Sequence, residues 1–196
     1  MKDGEITKNR ILEAAMNDFA KYGYEGSRME RIAGNVGINK ASLYFHFKGK
    51  EELFRSLFDG IIGRYQTFIW KLFRETEELP IKERLVRFYT GYLEYHWNNV
   101  ETDFWNRIYY FPPEPMKEII YRKTTEDKAY FISELSQIFS RGLDSGELSG
   151  TTSSAMASTF YYLLTCVALS SDILSYKEAS VEMDSCFTVF WRGIAV

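Results

Sequence analysis

Apolar side chains return every three or four residues along nearly all of this 196-residue chain, and strand-like alternation is absent. Ile11, Ala15 and Phe19 lie four apart, with Leu12 beside them. Leu53, Leu57, Ile61, Tyr65, Phe68 and Leu72 form a second stripe, and Leu85, Phe88, Tyr92 and His96 a third. Met116, Ile120, Thr124, Phe131, Leu135 and Ile138 mark a fourth. Such spacing puts the apolar groups on one face of a helix. The chain is therefore expected to be all-α, with about nine helices. Breaks are expected at Gly23 and Gly26, at Gly37, at Pro80, and across Pro112, Pro113 and Pro115. Gly142, Gly146 and Gly150 read as a loop, and Ser175 to Glu178 as the divide between the last two helices.

Several function classes are set aside by what the sequence lacks. Two cysteines, Cys166 and Cys186, form no CxxC pair, so no structural zinc site is expected, and a reducing cytoplasm is the simpler location. The first residues show no apolar signal segment. Leu148 to Ser171 carries no charge and is long enough to cross a bilayer, but ten of its residues are Ser or Thr. It reads as a helix buried on more than one side, with no membrane involved. No Gly-rich phosphate loop or nucleophile elbow occurs, so neither an enzyme nor a cofactor is expected. His96, Glu101 and Asp103 lie close in sequence but read as core and surface residues.

The informative stretch runs from Ser27 to Phe54. Ser27 with Glu30 has the spacing of a capping box, which predicts a helix start. Met29, Ile32, Ala33 and Val36 are its apolar positions, Gly37 permits the positive φ of a tight turn, and Asn39 suits the N-cap of the next helix. This is the grammar of a helix-turn-helix, whose second helix enters the DNA major groove. The net charge of −3 argues against nucleic acid until it is divided. Residues 1–50 carry nine Lys/Arg against six Asp/Glu, a net +3; the remaining fifteen against twenty-one give −6. Within Ser27–Lys50 five basic residues face one acid, Glu30.

The ordered set Ile11-Leu12-Glu13-Ala14-Ala15, Phe19, Tyr22-Gly23-Tyr24, Ile32-Ala33, Gly37, Leu43-Tyr44-Phe45-His46-Phe47 and Lys50-Glu51-Glu52-Leu53 resembles the TetR family of transcriptional regulators, over roughly residues 6–58. The sequence departs from the usual pattern at Asn39, at Gly34 inside a helix, and at Gly49 before the fourth helix. The resemblance implies a helix-turn-helix DNA-binding domain over 1–49 and a ligand-binding and dimerisation domain over 50–196. Lys40 and Ala41 open the reading helix and are expected at base edges. Tyr44 and His46 resemble the family's phosphate-contacting pair. Arg28, Asn39, Lys48 and Lys50 complete the expected contact set, Lys50 also having a positive helix end beside it. Phe45 and Phe47 are expected in the core.

A single short reading head binds DNA weakly, so a homodimer on a palindromic operator is expected. Ala155, Thr159, Tyr162, Cys166 and Leu169 line one side of the uncharged segment, and Phe160, Leu163 and Val167 another. Two apolar sides need two partners. Tyr162, Leu163, Cys166, Phe187, Phe190 and Trp191 are the interface candidates, and the resemblance implies a four-helix interface. The aromatic excess lies in residues 65–111, where Tyr65, Phe88, Tyr92, His96, Trp105 and Tyr109 are candidates to hold a small hydrophobic or aromatic ligand. Gly60 and Gly63 are a candidate hinge. The leading expectation is a repressor released by such a ligand. A regulator switched by a protein partner, and an all-α enzyme, stay open as alternatives.

Overall fold

The computed structural model describes residues 2–97, 99–171 and 173–196. Among these it contains nine α-helices and no strand: α1 (Lys2–Gly26), α2 (Met29–Val36), α3 (Lys40–His46), α4 (Lys50–Glu75), α5 (Ile81–His96), α6 (Val100–Tyr110), α7 (Lys117–Asp144), α8 (Ser153–Ala168) and α9 (Tyr176–Ile194). A 3-10 turn, Glu114–Met116, forms within the proline-rich break. The helices group into two compact units, Met1–Tyr65 with Asn99–Arg122, and Gln66–Asn98 with Lys123–Val196. The head expected over 1–49 lies inside the first unit, which also takes in the start of α4 and all of α6.

The first unit is built on the apolar faces that the spacing marks. Ile11, Ala15 and Phe19 of α1 are buried with Ile32, Ala33 and Val36 of α2, Leu43 of α3 and Phe54 and Phe58 of α4. Phe19 meets Phe54 edge-on at 5.1 Å, and Phe54 lies 5.4 Å from Phe104 of α6. Each such ring contributes roughly 1.5–3 kcal/mol on burial. Short helices like α2 and α3 are held by this packing, because propensity alone does not sustain seven or eight residues. Arg10 of α1 donates to the Val36 carbonyl at 2.7 Å and closes the end of α2. Gly37 follows with φ 77°, the left-handed conformation the turn requires.

Three local expectations are corrected. Ser27 and Glu30 form no capping box: the Ser27 hydroxyl donates to the Gly23 carbonyl at 2.7 Å and finishes α1. The start of α2 is served instead by Asp18, which accepts from the Arg28 amide at 3.3 Å. Phe45 is not in the core; it is 87% exposed, whereas Phe47 is buried. Gly142 is not loop but lies in the last turn of α7, against Leu148 and Ile81.

In the second unit Phe73 of α4, Phe88 of α5 and Phe131 of α7 form an aromatic cluster, with Phe73 4.5 Å from Phe88 and 5.4 Å from Phe131. Phe160 of α8 packs with Phe187 and Phe190 of α9. A true capping box opens α9, where Ser175 and Glu178 bond reciprocally. The uncharged segment forms α8, capped by Thr152. No described helix is long and apolar enough to cross a membrane.

Candidate nucleic-acid interface

Asn39 accepts from the Ser42 amide at 2.8 Å and starts α3 as its spacing predicts. Leu43, fully buried, anchors this helix from below. A seven-residue helix held through one buried side chain leaves the rest of its circumference outside. Lys40, Ala41, Tyr44 and Phe45 are exposed, and His46 is half-buried with its ring edge-on to Phe45. Arg28 and Lys48 are exposed at the flanks.

The charges on this surface are differently engaged. Lys40, at the first turn of α3, pairs with Glu30 of α2 and lies 5.7 Å over the Tyr44 ring. The Glu30 carboxyl is held below its ordinary pKa, first by that hydrogen bond from Lys40 and also by the charge of Arg28. The Lys50 ammonium donates to the Tyr24 carbonyl at 2.7 Å and sits 4.5 Å over the Tyr24 ring, so it ties α4 to the end of α1. Glu52 accepts from the Lys48 amide at 2.7 Å. Arg31 turns away, forking onto Asp18 and stacking 3.8 Å over Tyr22.

Asp18 holds the helices of the motif together. Burial raises its pKa, but hydrogen bonds from Arg31 and Ser27, the Arg31 charge and the Arg28 amide outweigh that and leave it below the ordinary carboxylate value. Nothing in the motif's own spacing points to it. The available signal is its place in the buried stripe of Ile11 and Ala15, at i+7 and i+3, where an acid needs a partner.

The expected ligand residues fall in two groups, one in each unit. Phe88, Tyr92 and His96 line one face of α5 and are buried, with Tyr92 6.3 Å from Phe131 and 4.4 Å from His96. Burial alone lowers the His96 pKa to about 4. Trp105 and Tyr109 belong to the first unit, 6.1 Å apart, with Trp105 stacked at 6.4 Å on Phe58. Tyr65 is half-buried on α4. Glu101 pairs with Arg64 at 2.6 Å, and no group of three metal-ligating side chains occurs among the described residues. Gly60 and Gly63 lie within a continuous α4; a Cβ at Gly63 would meet nothing, and at Gly60 only the tip of Arg64.

On α8, Tyr162 and Cys166 are exposed and Leu163 is half-buried. Phe190 and Trp191 of α9 are half-buried, whereas Phe187 is turned inward, 5.2 Å from Tyr89.

Comparison with known proteins bears on the first unit above all. Residues 11–57 match the family described as bacterial regulatory proteins, tetR family. The HTH-type transcriptional repressor SCO4008 of Streptomyces coelicolor is 43% identical over 58 residues, 30% of each chain. The biofilm operon icaADBC HTH-type negative transcriptional regulator IcaR of Staphylococcus epidermidis is 34% identical over 62 residues, 32% of this chain and 34% of that one. The matched stretches thus span about a third of these curated relatives. A TetR transcriptional regulator from Chloroflexus aurantiacus superposes over 100% of both chains with a TM-score of 0.74 at 16% identity, a likeness of fold.

Proposed function

We propose that this chain, whose residues 11–57 match the tetR family of bacterial regulatory proteins, is a DNA-binding transcriptional regulator, acting as a repressor on a palindromic operator. The observation that carries the reading is the exposed surface of α3. Its buried side is spent on Leu43, so Lys40, Ala41, Tyr44 and His46 are left to DNA. Lys40 and Ala41 take base edges; Tyr44, His46, Arg28 and Lys48 take phosphates. Lys50 fixes the α1 and α4 ends that present this surface, and its remaining donor capacity serves a phosphate at the α4 start.

Two chains bind together, through the exposed uncharged side of α8 around Tyr162, Leu163 and Cys166 and the half-buried Phe190 and Trp191 of α9. Release follows from a small hydrophobic or aromatic molecule. Phe88, Tyr92 and His96 supply stacking faces and one neutral imidazole for it in the second unit. Such a ligand acts by favouring a geometry that fits the operator less well.

The test is recovery of DNA. Protein mixed with fragments of its host genome should retain discrete intervals containing an inverted repeat. Lys40→Ala and Tyr44→Ala should lose them while remaining folded. Retention of fragments without a shared sequence, equal for all three proteins, contradicts the reading.

A further inference from the structure

Glu30 is the one acid among five basic residues between Ser27 and Lys50. The fold gives a carboxylate there only a modest role, in the first turn of α2, where the positive helix end and the residue's own amide favour it. Met29, Ile32, Ala33 and Val36 form the buried side of α2, and Glu30 faces solvent. The α2 start is already served by Asp18. Its ion pair with Lys40 has both side chains more than half exposed, at 60% and 56%, and pairs of that kind add little to stability. Yet Glu30 holds the first side chain of the reading helix, with Tyr44 beneath the same ammonium and Arg28 acting on the same carboxylate.

Resting on the DNA-binding reading above, we propose that Glu30 is a specificity-determining residue, which with Lys40 reads one G·C pair in each half-site and discourages binding elsewhere. The chemistry of the groove supports this directly. A G·C pair presents the acceptors O6 and N7 of guanine beside the N4 amino donor of cytosine. An ammonium and a carboxylate side by side match that edge, the first donating and the second accepting. Wherever the register is wrong, the carboxylate faces phosphate instead and repels it. The exposed pair opens at small cost, so Lys40 is oriented without being withheld. The acid therefore weakens binding to arbitrary DNA more than binding to the operator.

The experiment measures the wild-type chain, Glu30→Gln and Glu30→Asp by fluorescence anisotropy. The probes are a duplex selected by the wild-type chain from a random pool, single-position variants of it, and a random duplex. Glu30→Gln is expected to bind the random duplex about fivefold more tightly and to lose roughly tenfold of the discrimination at one G·C position per half-site. Glu30→Asp keeps the charge but not the reach, so it retains weak binding to random DNA and loses the discrimination. Thermal unfolding of both variants should match wild type. Equal shifts on operator and random DNA, unchanged discrimination, or loss of folding in both variants overturns the proposal. A wild-type chain that enriches no sequence overturns the DNA-binding reading itself, and this proposal with it.

Discussion

Replacing Asp18 by asparagine removes a charge that the motif uses three times. The carboxylate side chain is only 1% exposed and receives the Arg31 fork and the Arg28 amide. Asparagine keeps one carbonyl acceptor, enough for the Arg28 amide, but cannot accept both arms of Arg31. A hydrogen bond to a charged group contributes about 1.5–3 kcal/mol. Arg31 is one-third exposed, so water recovers part of that loss, and the cost should be about 2 kcal/mol. For a chain of this size that lowers Tm by roughly 4–8 °C. The pH dependence has a definite sign. A folded pKa below the unfolded one gives stability that is complete above the unfolded value, about 4, and is lost as pH falls through the folded value. The gap between wild type and Asp18→Asn should therefore be full near neutrality and close as the solution is acidified below about pH 4. Urea unfolding followed by circular dichroism at a series of pH values reads both quantities. A neutral-pH difference under about 0.5 kcal/mol, or one that persists unchanged in acid, refutes the assignment of Asp18 as the motif's anchor.

Other perturbations follow from single contacts. Gly34→Ala, where an added methyl meets nothing, should stabilise α2 by about 1 kcal/mol in a denaturant titration. Gly37→Ala should cost about 1–2 kcal/mol, wholly through its left-handed backbone, since it too has open space. Gly142→Ala should destabilise by about 1–3 kcal/mol, because its Cβ would lie 2.5 Å from Leu148 and 2.6 Å from Ile81. His96, with a pKa lowered to about 4, stays neutral when folded while the unfolded side chain takes a proton below about pH 6.5. Acidification between those values should cost the wild type up to about 3 kcal/mol relative to His96→Phe, read by thermal melts across pH.

What the sequence made legible was local. The Asn39 cap, the Gly37 turn and the helical stripes depend on neighbours within four residues, and all three stand in the structure. The capping box at Ser27 did not form because α2 begins one residue later: its N-cap is Arg28, and Ser27 still belongs to the end of α1, where its hydroxyl donates to the Gly23 carbonyl. The α2 amide went to Asp18, ten residues before it, a partner no local spacing names. Phe45 misled for a related reason. On so short a helix only the side carrying Leu43 is buried, and two residues further on the chain has turned through some 200°. Phe187 lies on the apolar side of α9 that faces its own core, which periodicity alone could not distinguish from a side facing a partner.

A dimer whose two α3 helices read successive major grooves leaves a defined footprint on its operator. Hydroxyl-radical cleavage of the recovered operator should show two protected patches on one face of the duplex, about one helical turn or a whole number of turns apart. Those patches should vanish together when Lys40 and Tyr44 are replaced by alanine. A single patch, protection spread evenly along the duplex, or protection that survives those replacements would contradict that arrangement.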